Sequence, residues 1–373
     1  MKKATALFLT GLLSLNFMAC SNLNIKGNDN PLSENPSETS KTAFVAGETT
    51  AVNTVCFDTL TQSQKDMYTA LLEGFENFSP EIVITGDEQD IEIAYKNIIA
   101  DHPEIFYLSG YIYKDTSDIL KRKEFTIYPS YTEDKDKYDE LMKDIEAAAD
   151  EWLSDIPEDA SSYEKSKLIF VNIVDNTTYK KDCTHNQDMA SVFLYGQSVC
   201  GGYTQGYSYL MQQLGIPCAV IYGELEGTAH AWNVSILDNE YYMSDPTNGA
   251  GSFTNGNNEK IEYINYNYLN IMPAYTADYV PSYSSIKCTD DKDNYYIKED
   301  RYFEEFTENI VGQIVADTVE SGKRYVTFCY GSPEALNLAE DILFAQSHIS
   351  RYYDSTQVNF IDSTRFNTLT IFF

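Results

Sequence analysis

The segment from Cys200 to Leu214 is the part of the sequence whose secondary structure is most tightly constrained. Six residues of this segment recur every three or four positions and predict one face of a helix: Tyr203, Gly206, Tyr207, Leu210, Met211 and Leu214. Gly215 and Pro217 follow, and these residue types commonly end a helix. The pattern therefore predicts a helix that begins at Cys200. Unpaired N–H groups and the positive end of the helix dipole favour a thiolate at such a position.

The residues after this helix predict an antiparallel hairpin. Two strands, residues 230–237 and 240–244, are separated by an Asp-Asn pair that is typical of a two-residue turn. If the turn is those two residues, the register carries back until Trp232 faces Asp245. His230 lies two residues from Trp232 on the same face, so Asp245 is its diagonal neighbour, roughly 5–8 Å away between Cβ atoms. A carboxylate at that distance can orient an imidazole.

These three side chains together predict nucleophilic catalysis. A thiolate at Cys200 is the nucleophile, His230 carries its proton, and Asp245 fixes the tautomer of the histidine. A single cysteine at a helix start is more often a small buried residue, and a single histidine before a tryptophan is usually structural. Their joint occurrence in this order and spacing favours a catalytic triad.

Three sequence blocks resemble bacterial members of the transglutaminase-like superfamily of papain-fold enzymes. They are Gly196–Tyr203, His230–Asn233 and Asp245–Thr247. The resemblance implies that the cysteine, histidine and aspartate of these blocks are nucleophile, base and orienting acid. It also implies an α+β fold in which the helix that starts at the cysteine packs on an antiparallel sheet. Asn248 departs from the pattern, because relatives often carry a bulky residue there.

Four further residues are candidates for the substrate cleft. The N–H of Cys200 is expected to hold the oxyanion, and Gln197 is either a second donor or a loop residue. Gly201 allows a close approach of backbone or substrate. Tyr203 and Trp232 are expected to form walls of the cleft.

The first residues resemble a bacterial lipoprotein signal. Residues 1–19 contain two lysines and then an apolar run that is too short to span a membrane and remain there. Cys20 follows a small residue, as in a lipobox, and is expected to carry the lipid. Residues 20–54 are poor in large apolar side chains and predict a flexible tether. The chain is therefore expected to be exported and lipid-anchored to the bacterial cell membrane, facing either outward or the periplasm.

The remaining chain divides into three predicted parts. Residues 55–155 form an N-terminal α+β region, residues 156–285 form the transglutaminase-like core, and residues 286–373 form a small C-terminal α+β module. A tyrosine-rich segment, residues 263–283, lies in the core. Its tyrosines either contact a glycan or peptide or edge the cleft and pack on the core.

Composition limits the partners. Asp and Glu number 57 against 26 Lys and Arg, which gives a formal net charge of -31 and disfavours nucleic acid and anionic membrane surfaces as partners. The seven cysteines form no disulfide framework or metal-binding spacing, and Cys200 is expected to stay free. No P-loop or dinucleotide motif is present, so neither a metal nor a cofactor is expected.

The sequence thus predicts a surface-anchored thiol enzyme that forms an acyl-enzyme on the amide of a protein or a cell-wall peptide. Hydrolysis, as in a peptidase or amidase, is favoured because water is always available as the acceptor. Two alternatives remain open. One is a transglutaminase that cross-links proteins through a lysine amine. The other is a non-catalytic lipoprotein that binds peptides or glycans at the cell surface.

Overall fold

The fold is α+β, as predicted, with three groups of elements along the chain. The computed structural model describes residues 54–117, 123–256, 258–354 and 358–373. The predicted signal sequence, the lipidation site at Cys20 and the tether up to residue 53 lie outside these ranges. None of the helices within them is long and apolar enough to cross a membrane.

The N-terminal group consists of two helices packed on a three-stranded antiparallel sheet of order β1-β3-β2. Thr61 and Gln64 form a capping box, in which each side chain accepts a hydrogen bond from the other residue's backbone N–H. The last element of the group is a long amphipathic helix, whose buried face includes Leu141, Ile145 and Ala149. The elements are α1 (Gln62–Glu76), β1 (Ile82–Thr85), α2 (Glu88–Asp101), β2 (Leu108–Asp115), β3 (Glu124–Tyr131) and α3 (Lys135–Leu153).

The central group places one helix against an antiparallel sheet of order β11-β6-β7-β8. That helix is α6, and the sequence analysis predicted its first residue, Cys200, correctly. Helices α4 and α5 pack beside it around a common apolar core. The elements are α4 (Ser162–Asn176), β4 (Thr178–Tyr179), α5 (Met189–Tyr195), β5 (Gln197–Ser198), α6 (Cys200–Gln213), β6 (Cys218–Leu225), β7 (Thr228–Leu237), β8 (Glu240–Ser244), β9 (Ala250–Thr254), β10 (Lys260–Ile264) and β11 (Tyr279–Pro281).

The C-terminal group is a four-stranded sheet of order β12-β13-β15-β14 with three helices, the first of them a single short turn. Residues 295–298 form a short helix, because the side chain of Asn294 caps it by accepting from the Tyr296 N–H. The next helix begins at Glu308, because residues 302–303 pair with residues 329–330 in the sheet. The elements are α7 (Tyr295–Lys298), β12 (Tyr302–Phe303), α8 (Glu308–Glu320), β13 (Tyr325–Tyr330), α9 (Pro333–Glu340), β14 (Asn359–Ser363) and β15 (Thr368–Phe372).

A buried carboxylate, Asp101, joins the N-terminal group to the central one. Its side chain accepts hydrogen bonds from the backbone N–H groups of Val55, Cys56 and Phe57 at 2.8–3.0 Å. Its backbone carbonyl accepts a bond of 2.7 Å from the side-chain amide of Gln212 on α6. The end of α2 is thereby fixed to both the first described residues and the helix that begins at Cys200.

The turn between β14 and β15 joins the C-terminal group to the central sheet. Phe366 in that turn is buried and packs edge-on against Tyr268 and Tyr275. Arg365 pairs with Glu226, in the turn between β6 and β7, at 2.9 Å. The C-terminal module therefore packs against the same hairpin that carries the candidate site.

Candidate active site

Cys200 is the first residue of α6, and its neighbours explain why the helix starts there. The preceding residue, Val199, has extended backbone, and the Tyr203 N–H makes the first hydrogen bond back to the Val199 carbonyl. The N–H groups of the first turn have no acceptor within the helix itself. The sulfur of Cys200 therefore lies beside free N–H groups at the positive end of the helix dipole.

Two glycines after Cys200 allow the loop before α5 to lie against the helix. A Cβ atom on Gly201 would lie 2.7 Å from the Gln187 carbonyl oxygen and 2.8 Å from its side-chain Oε1. A Cβ atom on Gly202 would lie 2.6 Å from the carbonyl oxygen of Asp188. The glycine pair thus brings the side chain of Gln187 next to the nucleophile.

His230 and Asp245 meet across the β7–β8 hairpin in the predicted register. Leu237 faces Glu240, and the pairing continues to Asn233 opposite Ser244, so Trp232 and Asp245 are the next opposing residues. The His230 Nε2 atom lies 2.8 Å from the Oδ2 atom of Asp245. Because Nε2 is used in this way, Nδ1 is the ring nitrogen left for the thiol.

Asp245 is fully buried and receives two further hydrogen bonds on the same oxygen. The Asn248 side-chain amide donates at 2.7 Å, and the Tyr279 hydroxyl donates at 2.8 Å. Burial and the neighbouring carboxylate both raise the pKa of Tyr279, so this hydroxyl keeps its proton and remains a donor. These contacts fix the carboxylate that orients His230.

The imidazole of His230 is held in its charged form. Burial alone lowers the pKa of His230, but hydrogen bonds and charge interactions with Asp245 and Cys200 outweigh it and raise the pKa to about 10. A protonated imidazole beside the sulfur favours a thiolate–imidazolium pair. The arrangement places a proton donor beside the sulfur of Cys200.

A small pocket joins these groups. Cys200, Gly201, His230, Gln187 and Tyr222 line it, together with the backbone around residues 229–231, and it has about 10 Å³ of room for water-sized contents. That is about the space one water molecule needs. Gln187 is exposed at the rim, where its amide can turn toward an oxygen atom bound at the N–H of Cys200.

The structure places three of the four predicted cleft residues elsewhere. Gln197 lies in β5, where its side chain accepts from Lys180 at 2.9 Å, so it belongs to a surface strand pair and not to the pocket. Tyr203 is buried because its hydroxyl donates to the Thr177 carbonyl at 2.6 Å. Trp232 is also buried and does not line the pocket at Cys200. Gly201 does line it.

Three residues at the site were not found by sequence reasoning. Asn248 was noted only as a departure from a pattern, and Tyr279 was one of many tyrosines. Gln187 lies thirteen residues before Cys200, and the glycine pair was the only signal of a close approach there. Asn248 and Tyr279 act on Asp245, and Gln187 lies at the pocket itself.

The C-terminal module reaches this network through Arg365. Its guanidinium lies 5.9 Å from the centre of the Tyr279 ring and 3.4 Å from the carboxylate of Asp278. The Tyr279 ring also packs edge-on against Trp232, with 5.2 Å between ring centres. The tyrosine that bonds Asp245 is therefore held between the central sheet and the C-terminal turn.

The described residues offer no obvious metal site. In these ranges no group of three or more His, Cys, Asp or Glu side chains is close enough together to hold a metal ion. The six cysteines from Cys56 onward are all free, and Cys200 is among them.

Comparisons with known proteins give one family match and several distant matches to solved structures. The model of the transglutaminase-like superfamily matches residues 151–246. No curated protein matches the chain significantly. Among solved structures, a TGase is 15% identical over 48% of this chain and 52% of its own, with a TM-score of 0.28. The periplasmic domain of TgpA from Pseudomonas aeruginosa, bound to ethylmercury, is 13% identical over 34% of this chain and 56% of its own, with a TM-score of 0.18.

The matched segment contains α6, the β6–β7 hairpin and β8, and so it includes the cysteine, the histidine and the aspartate described above. The chain spans about half of the length of the TGase that it resembles. Residues 151–246 are a domain of the transglutaminase-like superfamily.

Proposed function

We propose that this protein is a thiol hydrolase that cleaves an amide bond through an acyl-enzyme on Cys200. The observation that carries the proposal is the His230–Asp245 hydrogen bond of 2.8 Å at the pocket that also contains Cys200. A buried carboxylate that holds a charged imidazole beside a thiol at a helix N-terminus is the arrangement required to activate such a nucleophile. An exposed or purely structural cysteine does not need it.

In the proposed reaction the Cys200 thiolate attacks the amide carbon, and the N–H of Cys200 and the Gln187 amide stabilise the oxyanion. His230 then gives the proton on Nδ1 to the leaving amine, which departs and leaves a thioester. A water molecule attacks the thioester, His230 takes its proton, and the acid product leaves. Asp245 orients the imidazole in both halves of the cycle.

Water is the acceptor in this proposal because Cys200 and the rim residue Gln187 are accessible to solvent. Use of a lysine amine would require a path that favours the amine over water. We propose a protein or a cell-wall peptide as the substrate, since the sequence before residue 54 resembles an export and lipidation signal.

Cys20→Ala is expected to release the protein from the membrane fraction, because this substitution removes the proposed site of lipidation. Retention of the variant in the membrane fraction would contradict the proposed lipid anchor.

The test of the proposed chemistry is the rate of iodoacetamide labelling at pH 6, measured for each cysteine by peptide mapping. Cys200 is expected to react about tenfold or more faster than the partly exposed Cys183, because only a thiolate reacts at that pH. His230→Ala should remove the difference. Labelling of Cys200 no faster than Cys183 in the wild type would mean that the three groups do not act together, and a binding role would then be favoured.

The charge of His230 predicts a pH dependence of stability. Its folded pKa of about 10 lies above the ordinary value of 6.5, so its contribution is fully present below about pH 6.5 and is lost as the pH rises toward 10. The difference in unfolding free energy between the wild type and His230→Gln should therefore shrink from pH 6 to pH 10. Urea unfolding measures it, and a difference that grows over this range would contradict the assignment.

Gln187→Ala is expected to lower kcat about 100-fold with little change in KM. The amide is proposed to donate to an oxyanion that exists only after attack, so its loss affects the transition state more than substrate binding. Gln197→Ala is the matched control, because the same side chain is removed from a strand outside the pocket. Equal losses in both variants, or a change in KM alone, would remove Gln187 from this role.

A further inference from the structure

A second and larger cavity lies over the sheet next to Trp232. Its volume is about 250 Å³, and its lining comes from β6, β7 and β8 and from residues 276–289, which include the edge strand β11. Its floor is apolar and crosses three adjacent strands: Ile221 on β6, Trp232 and Val234 on β7, and Met243 on β8. At a strand spacing of about 4.8 Å, three strands give a floor about 10 Å across.

This cavity is distinct from the pocket at Cys200. The two share no lining residue: His230 lines the pocket, and Trp232, two residues along β7, lines the cavity. The two rings lie nearly parallel, with their centres 6.4 Å apart. The Tyr279 ring also lines the cavity, while its hydroxyl bonds Asp245. The proposed acyl transfer does not use the space of the cavity itself.

The polar part of the lining contains one cation and no acidic residue. Lys287 is exposed at the rim, and none of the twelve lining residues is acidic. Within the described part of the chain, no carboxylate forms an ion pair with Lys287. Hydroxyl groups of Thr276, Ser284 and Thr289 complete the polar rim. The chain has a net charge of -31, so most of its surface repels anions. Lys287 has no such ion pair and attracts an anion to the apolar cavity.

We propose that this cavity binds a small amphipathic carboxylate, with its hydrocarbon part on the Trp232 floor and its carboxylate at Lys287. The floor of about 10 Å matches an extended chain of about eight carbons. The volume is slightly below the range of about 300–1,000 Å³ that drug-sized ligands occupy, so a larger organic anion does not fit. Burial of the chain against apolar side chains supplies the affinity, and the ammonium selects the head group.

The experiment follows the emission of Trp232, since the chain contains only two tryptophans. In a Trp152→Phe background, octanoate is titrated against octylamine, which has the same chain length and the opposite charge. Octanoate is expected to change the emission saturably, and octylamine to bind at least about tenfold more weakly. The readout does not depend on Cys200, so it is independent of whether the proposed hydrolysis is correct.

Two charge variants complete the test in the same background. Lys287→Glu should weaken octanoate binding at least tenfold, whereas Lys323→Glu makes the same change of net charge in an exposed loop and should leave binding unchanged. A non-saturating response to octanoate would overturn the site. Equal binding of octanoate and octylamine, or equal effects of the two variants, would overturn the assignment of Lys287 and with it the carboxylate class.

Discussion

Asp245→Asn is expected to lower kcat for amide hydrolysis by about 10⁴, the size of effect seen when the orienting aspartate of a catalytic triad becomes an amide. The substitution keeps the shape of the side chain. It removes the charge that stabilises the imidazolium, although an amide oxygen can still accept from His230, Asn248 and Tyr279. The pKa of His230 should fall toward its ordinary value, because one of its two charged partners is gone.

Two measurements separate this role from a general loss of structure. The pH dependence of iodoacetamide labelling at Cys200 should shift in Asp245→Asn, while the melting temperature of the variant stays near that of the wild type. Asn248→Ala is the matched control, because it keeps the carboxylate and removes only one donor to it. We expect it to lower kcat far less. A loss in Asp245→Asn of less than tenfold would show that the carboxylate does not orient the base.

Asp101→Ala is expected to lower the unfolding free energy by about 3–5 kcal/mol, because one buried carboxylate satisfies three backbone N–H groups. The Tyr68 hydroxyl also donates to it, at 3.2 Å. An alanine leaves all of these donors buried without an acceptor. The effect should extend to the site, since the Asp101 carbonyl accepts from Gln212 on the helix of Cys200.

Urea unfolding of the wild type and two variants tests this expectation. Asp58→Ala removes a carboxylate from the same part of the chain, but that carboxylate is largely exposed in an ion pair with Lys65, so its loss should cost less than about 1 kcal/mol. If Asp101→Ala costs no more than Asp58→Ala, the three N–H groups are satisfied in some other way, and Asp101 does not hold the N-terminal segment.

The parts of the site that depend on local pattern could be predicted from the sequence. The helix start at Cys200 follows from an apolar stripe and its stop signals, and a two-residue turn fixes the register that brings His230 to Asp245. Each depends on residues within about twenty positions of one another. The capping boxes at Thr61 and Ser161 are local signals of the same kind.

The parts that depend on distant packing could not be predicted. Tyr279 lies 34 residues after Asp245, and nothing in its own neighbourhood distinguishes it from the other tyrosines of its segment. Tyr203 and Trp232 were expected in the cleft because their local sequence does not show whether their rings are buried. An aromatic side chain near a nucleophile can either line a cleft or pack on the core, and burial decides between them only once the sheet is in place.

The turn that carries Arg365 and Phe366 has a consequence for the order in which the protein becomes complete during synthesis. Cys200, His230 and Asp245 leave the ribosome more than a hundred residues before this turn. A nascent chain can therefore form the helix of Cys200 and its hairpin while the Tyr279 ring still lacks the guanidinium that later lies over it. A product cut short in the C-terminal module retains all three candidate catalytic residues but loses the contact between Arg365 and Tyr279.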